Sequence, residues 1–266
     1  TDLHTNNSGR RMPFYARPME LTAALTCRAG GARVLAGGTD LYPAAGVVGD
    51  VLDITGIAAL RGITRGDGLR IGGAVTWSEI AEADLPRACA ALQMAARAVG
   101  GRQVQNTGTI AGNLCNASPA ADGMPPLLVL GATVELASVR GVRRLSLADF
   151  VLAPRKTALQ PDEILLALHV PEAALAGQSV FLKLGARAYL VISIASVAVR
   201  LVVSDGVVMQ AAVAVGACSA VAQRLPLVET ALRGTCVNQL HKAVRPQDLA
   251  ALQQETSRSN TDDPNF

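Results

Sequence analysis

The chain has 266 residues, half of them apolar and 17% charged, with a formal net charge of +3. At about 150 residues per domain this is one large domain or two to three small ones, and the composition excludes disordered, collagenous and low-complexity classes. Basic residues are spread along the chain and aromatic residues are few (one Trp, three Tyr, four Phe), so the basic stripe and stacking platform that nucleic-acid binding needs are both missing.

In chain order, residues 1–11 are polar and lack the apolar core of a signal peptide, which predicts a loose tail and a cytoplasmic address. Pro18 is expected to open a helix over 19–28 that stops at Gly30-Gly31. A short apolar strand, 32–36, runs into the turn Gly37-Gly38-Thr39-Asp40-Leu41, and 51–54 is a second apolar run. The first sixty residues therefore predict a small α/β unit with parallel strands. Gly66-Asp67-Gly68 reads as a hairpin turn. The spacing Gly66-x-Gly68-x-x-x-Gly72 has one residue too many for a dinucleotide fingerprint and leads into a strand. Thr76-Trp77-Ser78-Glu79 is a capping-box pattern, and 86–99 carries an apolar stripe at helical spacing that ends at Gly100-Gly101. The stretch 103–122 has no charge before Asp122 and is rich in Asn, Thr, Ser and Gly. It is expected to be a non-repetitive loop, which at that length within a folded domain is usually functional.

Strands are predicted at 133–137, 164–170 and 181–184, then at 193–203 and 207–217 around the turn Ser204-Asp205-Gly206, with a helix at 226–233. Mean hydropathy is +0.31, yet the uncharged stretch 206–223 contains Gln, Gly, Ser and Cys, so it predicts buried strand and no membrane span. Three modules result, 12–68, 69–178 and 179–250, with loose tails at 1–11 and 251–266.

The common catalytic templates are absent: no GxxxxGK[ST], no HExxH and no GxSxG, while His4, His169 and His241 lie far apart in sequence. Five cysteines without a CxxC or CxxH pair predict no metal site and no disulfide framework. Two glycine-rich turns remain. The first, 37–41, follows a strand, so its backbone N–H groups and the Thr39 hydroxyl either face an anionic phosphate or form an ordinary strand-to-helix turn. The second, Thr107-Gly108-Thr109-Ile110-Ala111-Gly112-Asn113, again combines glycine with small donors. One turn per module can hold the two phosphates of a dinucleotide between them.

Four pieces occur in order: Leu35-Ala36-Gly37-Gly38-Thr39-Asp40-Leu41; Thr109-Ile110-Ala111-Gly112-Asn113 with Asn116-Ala117-Ser118-Pro119-Ala120-Ala121-Asp122; Pro161-Asp162-Glu163-Ile164-Leu165; and Lys183-Leu184-Gly185. Together they resemble the FAD-binding (medium) subunit of the molybdenum hydroxylase family, the group of xanthine dehydrogenase and carbon monoxide dehydrogenase FAD subunits, over about 12–235. The resemblance implies an α+β fold: a two-part FAD-binding domain, built of a small α/β module and an α+β module with an antiparallel sheet, followed by a C-terminal α/β cap with antiparallel sheet and helices. FAD would lie between the first two modules. Carried over by position, Val34, Leu35, Ala36, Gly37, Gly38, Thr39, Asp40, Leu41, Thr109, Ile110, Ala111, Gly112 and Asn113 would bind the pyrophosphate. Ser118 and Asp122 would support the ribityl and ribose hydroxyls, and Leu165 and Lys183 would contact the flavin ring region. Read without the resemblance, Asp122 is alternatively a helix N-cap or a loop carboxylate, Lys183 a solvated strand lysine and Leu165 a core residue. The implied partners are a molybdenum-cofactor large subunit and a [2Fe-2S] small subunit, with NAD, a quinone or oxygen as electron acceptor. Many relatives have glycine at position 111, so Ala111 predicts backbone strain if φ is positive there. After Gly234 the resemblance ends, which motivates the rival reading of a scaffold subunit without flavin.

Overall fold

The computed structural model describes residues 13–41, 49–187 and 190–243; the expected tails and the end of the third module lie outside them. The chain begins with β1 (Tyr15–Ala16), α1 (Leu21–Ala29), β2 (Arg33–Leu35) and β3 (Val51–Asp53). These strands form a parallel sheet in the order β1-β3-β2, the small α/β unit that the apolar runs predict. Helix α1 starts at Leu21, later than Pro18 suggests, because the preceding residues cross over Gly56: a Cβ there would lie 2.9 Å from Met19 Sδ and 3.3 Å from Pro18 O. The two-residue β1 is too short to leave a periodic signal.

Next come β4 (Ile63–Gly66), β5 (Gly68–Gly72), α2 (Trp77–Glu82), α3 (Ala90–Ala98), α4 (Arg102–Thr107), α5 (Ile110–Asn116) and α6 (Met124–Val129). β4 and β5 form the expected hairpin, and Thr76 with Glu79 forms the full capping box. The stretch 103–122 is largely helical, against the expectation of a loop. Burial of Ile110, Ala111 and Leu114 in the core and the Thr109 cap outweigh the weak helix propensity of its Asn, Thr and Gly residues. Ala111 is helical, so the strain expected there does not arise.

Then follow β6 (Thr133–Ser138), β7 (Gly141–Ser146), α7 (Leu147–Phe150), β8 (Val151–Ala153), β9 (Lys156–Thr157) and β10 (Ile164–Pro171). An antiparallel sheet runs β4-β5-β10-β6-β7. β7 escapes a periodicity reading because it carries Arg143 and Arg144, whose charges are met by Glu163 (2.6 Å) on the loop before β10 and by Glu135 (2.5 Å) on β6. One face of the sheet packs on α2, α3, α5 and α6. The other meets the parallel unit through Leu52, Ile54, Leu60, Ala137 and Leu166.

The last part holds β11 (Gln178–Leu184), β12 (Ala195–Ser204), β13 (Val207–Gly216), β14 (Gln223–Arg224), α8 (Pro226–Leu232) and α9 (Leu240–Ala243). Its four strands form an antiparallel meander in chain order. Phe181, Ala198, Ala212 and Ala214 join the same core as α3 and α6, so this sheet is tied to the module before it. Arg200 donates to Val129 O (3.1 Å) and Arg224 to Leu128 O (3.1 Å), satisfying carbonyls at the C-terminus of α6. Among the described residues no helix is long and apolar enough to cross a membrane.

Candidate functional site

A cleft of about 900 Å³ opens between the parallel unit, the helices α4 and α5, and the residues Lys183, Leu190, Val191 and Ile192, within the size range of small-molecule and cofactor sites. The first glycine turn leaves the carboxyl end of β2, where ligands of parallel strands collect. It touches the second turn directly. A Cβ on Gly37 would lie 1.8 Å from Thr107 O and 2.9 Å from Gly108 Cα, so only glycine permits this approach of two backbones. Gly38 has φ 72°, a left-handed conformation that glycine adopts without strain.

The two turns offer different donors. Among the described residues, no protein acceptor takes the amides of Gly37, Gly38, Thr39, Asp40 or Leu41. In the second segment the amides are already in use: Ile110 donates to Val75 O, Ala111 to Gly73 O, Gly112 to Thr109 Oγ1 and Asn113 to Thr109 O. What this segment offers a ligand is the Thr109 amide and hydroxyl and the Asn113 side chain. Asn113 Oδ1 is buried and has no hydrogen-bond partner, a state that costs roughly 1–3 kcal/mol until a ligand or water meets it.

At the far end of the cleft, Asp122 is buried with both carboxylate oxygens engaged. Lys183 Nζ donates to Oδ2 (2.6 Å) and Ser193 Oγ to Oδ1 (2.5 Å), while Lys183 also donates to Ala98 O (3.3 Å). Asp122 is therefore no helix N-cap, since Gly123 caps α6 without a side-chain bond, and Lys183 is no solvated lysine. Of the residues singled out in the sequence, Val34, Ala36–Leu41, Thr109, Ala111–Asn113, Ser118, Asp122, Leu165 and Lys183 all line this one cleft. Leu35 and Ile110 do not; both side chains are buried in the core.

The cleft also contains residues that the sequence reading passed over. Trp77, buried at 2% exposure, stands beside the second turn: its backbone N–H donates to Gly108 O (3.2 Å), and a Cβ on Gly123 would lie 2.6 Å from its Cη2. A sole tryptophan inside a capping box was the available signal. Arg28, Arg33, Asn116, Arg155 and Glu163 line the other end. Arg28 is tied to the Ala32 and Glu163 carbonyls, whereas Arg33 has no ion pair among the described residues, leaving a positive charge suited to an anionic ligand. Burial pushes the Cys115 thiol, also in the lining, up to about 12, which keeps it protonated and unreactive.

Glu163 is held below the usual carboxylate range, first by its hydrogen bonds from Arg143. Its stabilisation is complete above the unfolded-state value of about 4.3 and is lost as pH falls through the lower folded-state value. Glu163→Gln should therefore cost about 1–3 kcal/mol at neutral pH and flatten the loss of stability between roughly pH 5 and 3. Urea melts at pH 7 and 3.5 check this; equal losses at both would contradict it.

Comparison with known proteins places these features in a family. Residues 10–173 match the model for the FAD-binding domain in molybdopterin dehydrogenase. The xanthine dehydrogenase FAD-binding subunit of Escherichia coli O157:H7 is 40% identical over 147 residues, 53% of this chain and 50% of the relative. The nicotine 6-hydroxylase medium subunit of Paenarthrobacter nicotinovorans is 31% identical over 214 residues, 76% of this chain and 73% of the relative. The match thus spans about half the length of the xanthine dehydrogenase subunits and more of other relatives. Among solved structures, a carbon monoxide dehydrogenase from Hydrogenophaga pseudoflava superposes with TM-score 0.78 at 25% identity, over 92% of this chain and 95% of that one.

Proposed function

The chain belongs to the family of FAD-binding domains of molybdopterin dehydrogenases, and from that premise we propose that it is the flavin subunit of a multi-subunit molybdenum hydroxylase. The cleft fits the cofactor on three counts. Two backbones approach as closely as glycine allows at Gly37, the amides of 37–41 are uncommitted among the described residues, and the buried Asn113 Oδ1 lacks a partner. The meeting of the two glycine turns is the observation that carries this reading.

In the proposed arrangement the 37–41 amides, the Thr109 amide and hydroxyl and the Arg33 guanidinium bind the pyrophosphate. Ser118 and the free lone pairs of Asp122 take ribityl and ribose hydroxyls, and Leu165 and Lys183 border the ring. Held there, FAD would supply the redox chemistry, a two-electron relay between a partner's [2Fe-2S] clusters and NAD, a quinone or oxygen. The chain's own residues act by binding, orientation and charge: Lys183 stays fixed on Asp122, and Val99, Leu165 and Val191 supply apolar walls. No side chain is assigned an acid or base role. The larger molybdenum subunit is proposed to choose the substrate.

The purified chain should show the absorption of oxidised flavin and release about one FAD per chain on denaturation. A colourless protein that takes up no added FAD would overturn the reading in favour of a scaffold subunit.

A further inference from the structure

Arg155, between β8 and β9, has φ 61°, a left-handed backbone uncommon for a residue with a side chain. Its N–H donates to Ala117 O (2.8 Å), and Ala117, at the C-terminus of α5, is left-handed as well (φ 46°). Strain of this kind persists where the surroundings hold it, and here it delivers a guanidinium to Asn116. Arg155 Nη1 donates to Asn116 O (3.2 Å) and to Asn116 Oδ1. Asn116 Nδ2 in turn donates to Asp40 Oδ1 (2.7 Å), across 76 residues of sequence. A guanidinium only donates and a carboxylate only accepts, so these partners allow one orientation of the amide: oxygen toward Arg155, nitrogen toward Asp40. All three residues line the cleft, and Asp40 belongs to the turn whose amides have no acceptor among the described residues.

We propose that Arg155 is a positioning residue for the phosphate-binding turn, acting through Asn116 to hold Asp40 and to offset its negative charge beside an anionic ligand. This rests on the FAD reading of the cleft. Without the relay, the Asp40 carboxylate is free to turn toward the diphosphate, and like charges at close range repel.

The test is an FAD titration of the apo-protein followed by flavin fluorescence, with the thermal midpoint of each apo-variant recorded alongside. Wild type must bind FAD; if it does not, the FAD reading fails and this inference falls with it. Arg155→Ala should weaken binding about tenfold or more, the scale of a lost charge-assisted pair, with little change in midpoint. Arg155→Lys, which keeps the charge but loses the planar fork, should fall between the two. Asn116→Asp keeps an acceptor for Arg155 but sets a carboxylate against Asp40, and should also weaken binding. Adding Asp40→Asn to Asn116→Asp reverses the direction of that hydrogen bond and should bring affinity back toward that of Asp40→Asn alone. Unchanged affinity in Arg155→Ala, or a double variant as weak as Asn116→Asp, overturns the proposal.

Discussion

Gly37→Ala is expected to leave the protein without retained FAD. The added Cβ would sit 1.8 Å from Thr107 O, 2.5 Å from Thr107 C and 2.9 Å from Gly108 Cα. All three atoms are backbone, so no side chain can swing aside, and the two turns must part until ordinary van der Waals distance is restored. Parting them moves the 37–41 amides off a diphosphate held against the second segment. Loss of two hydrogen bonds to a charged group costs about 3 kcal/mol or more, over a hundredfold in affinity. Gly66→Ala is the control, since a Cβ there would meet nothing within 4 Å. The measurement is flavin released per chain together with the thermal midpoint. Full flavin content in Gly37→Ala would remove the pyrophosphate assignment.

Lys183→Met should produce the larger loss of stability. Lys183 and Asp122 form an ion pair whose side chains are only 13% and 7% exposed, linking β11 to the loop before α6. Removing the lysine leaves Asp122 buried with Ser193 as its remaining partner, and an uncompensated buried charge costs about 3–5 kcal/mol. For a chain of this size that is a fall of roughly 6–20 °C in thermal midpoint. The double variant Lys183→Met with Asp122→Leu removes both charges and should regain most of the stability, since apolar replacement of a buried pair is often neutral. It should still fail to bind FAD, because the groups proposed to border the ribityl chain and ring are gone. A single variant that melts like wild type would contradict the stability argument. Flavin binding restored in the double variant would contradict the role in the site.

Local signals carried far along this chain. Thr76 and Glu79 declare a helix start because both halves of a capping box lie within four residues, and Gly66-Asp67-Gly68 declares a hairpin because a tight turn needs glycine. The runs 32–36 and 51–54 predict parallel strands, and they are parallel. The four spaced motifs point to the family, and the glycine turns, Asp122 and Lys183 all reach the cleft. Other elements were hidden for physical reasons. β7 looks too charged to be a strand until Glu163 and Glu135 neutralise Arg143 and Arg144. Helices α4 and α5 look like loop because of their Asn, Thr and Gly residues; for α5, burial of Ile110, Ala111 and Leu114 in the core decides the matter.

By itself, then, the amino-acid sequence determined the first parallel strands, the first hairpin and the capped helix α2, and it carried the short motifs that resemble the FAD-binding family. These depend on neighbours within a few residues. Only the tertiary structure decided that Gly37 lies against Thr107, that Lys183 closes on Asp122 across 61 residues, and that Arg155 reaches Asp40 through Asn116. Such contacts are set by how packed layers bring distant backbones together, and no local periodicity encodes that distance.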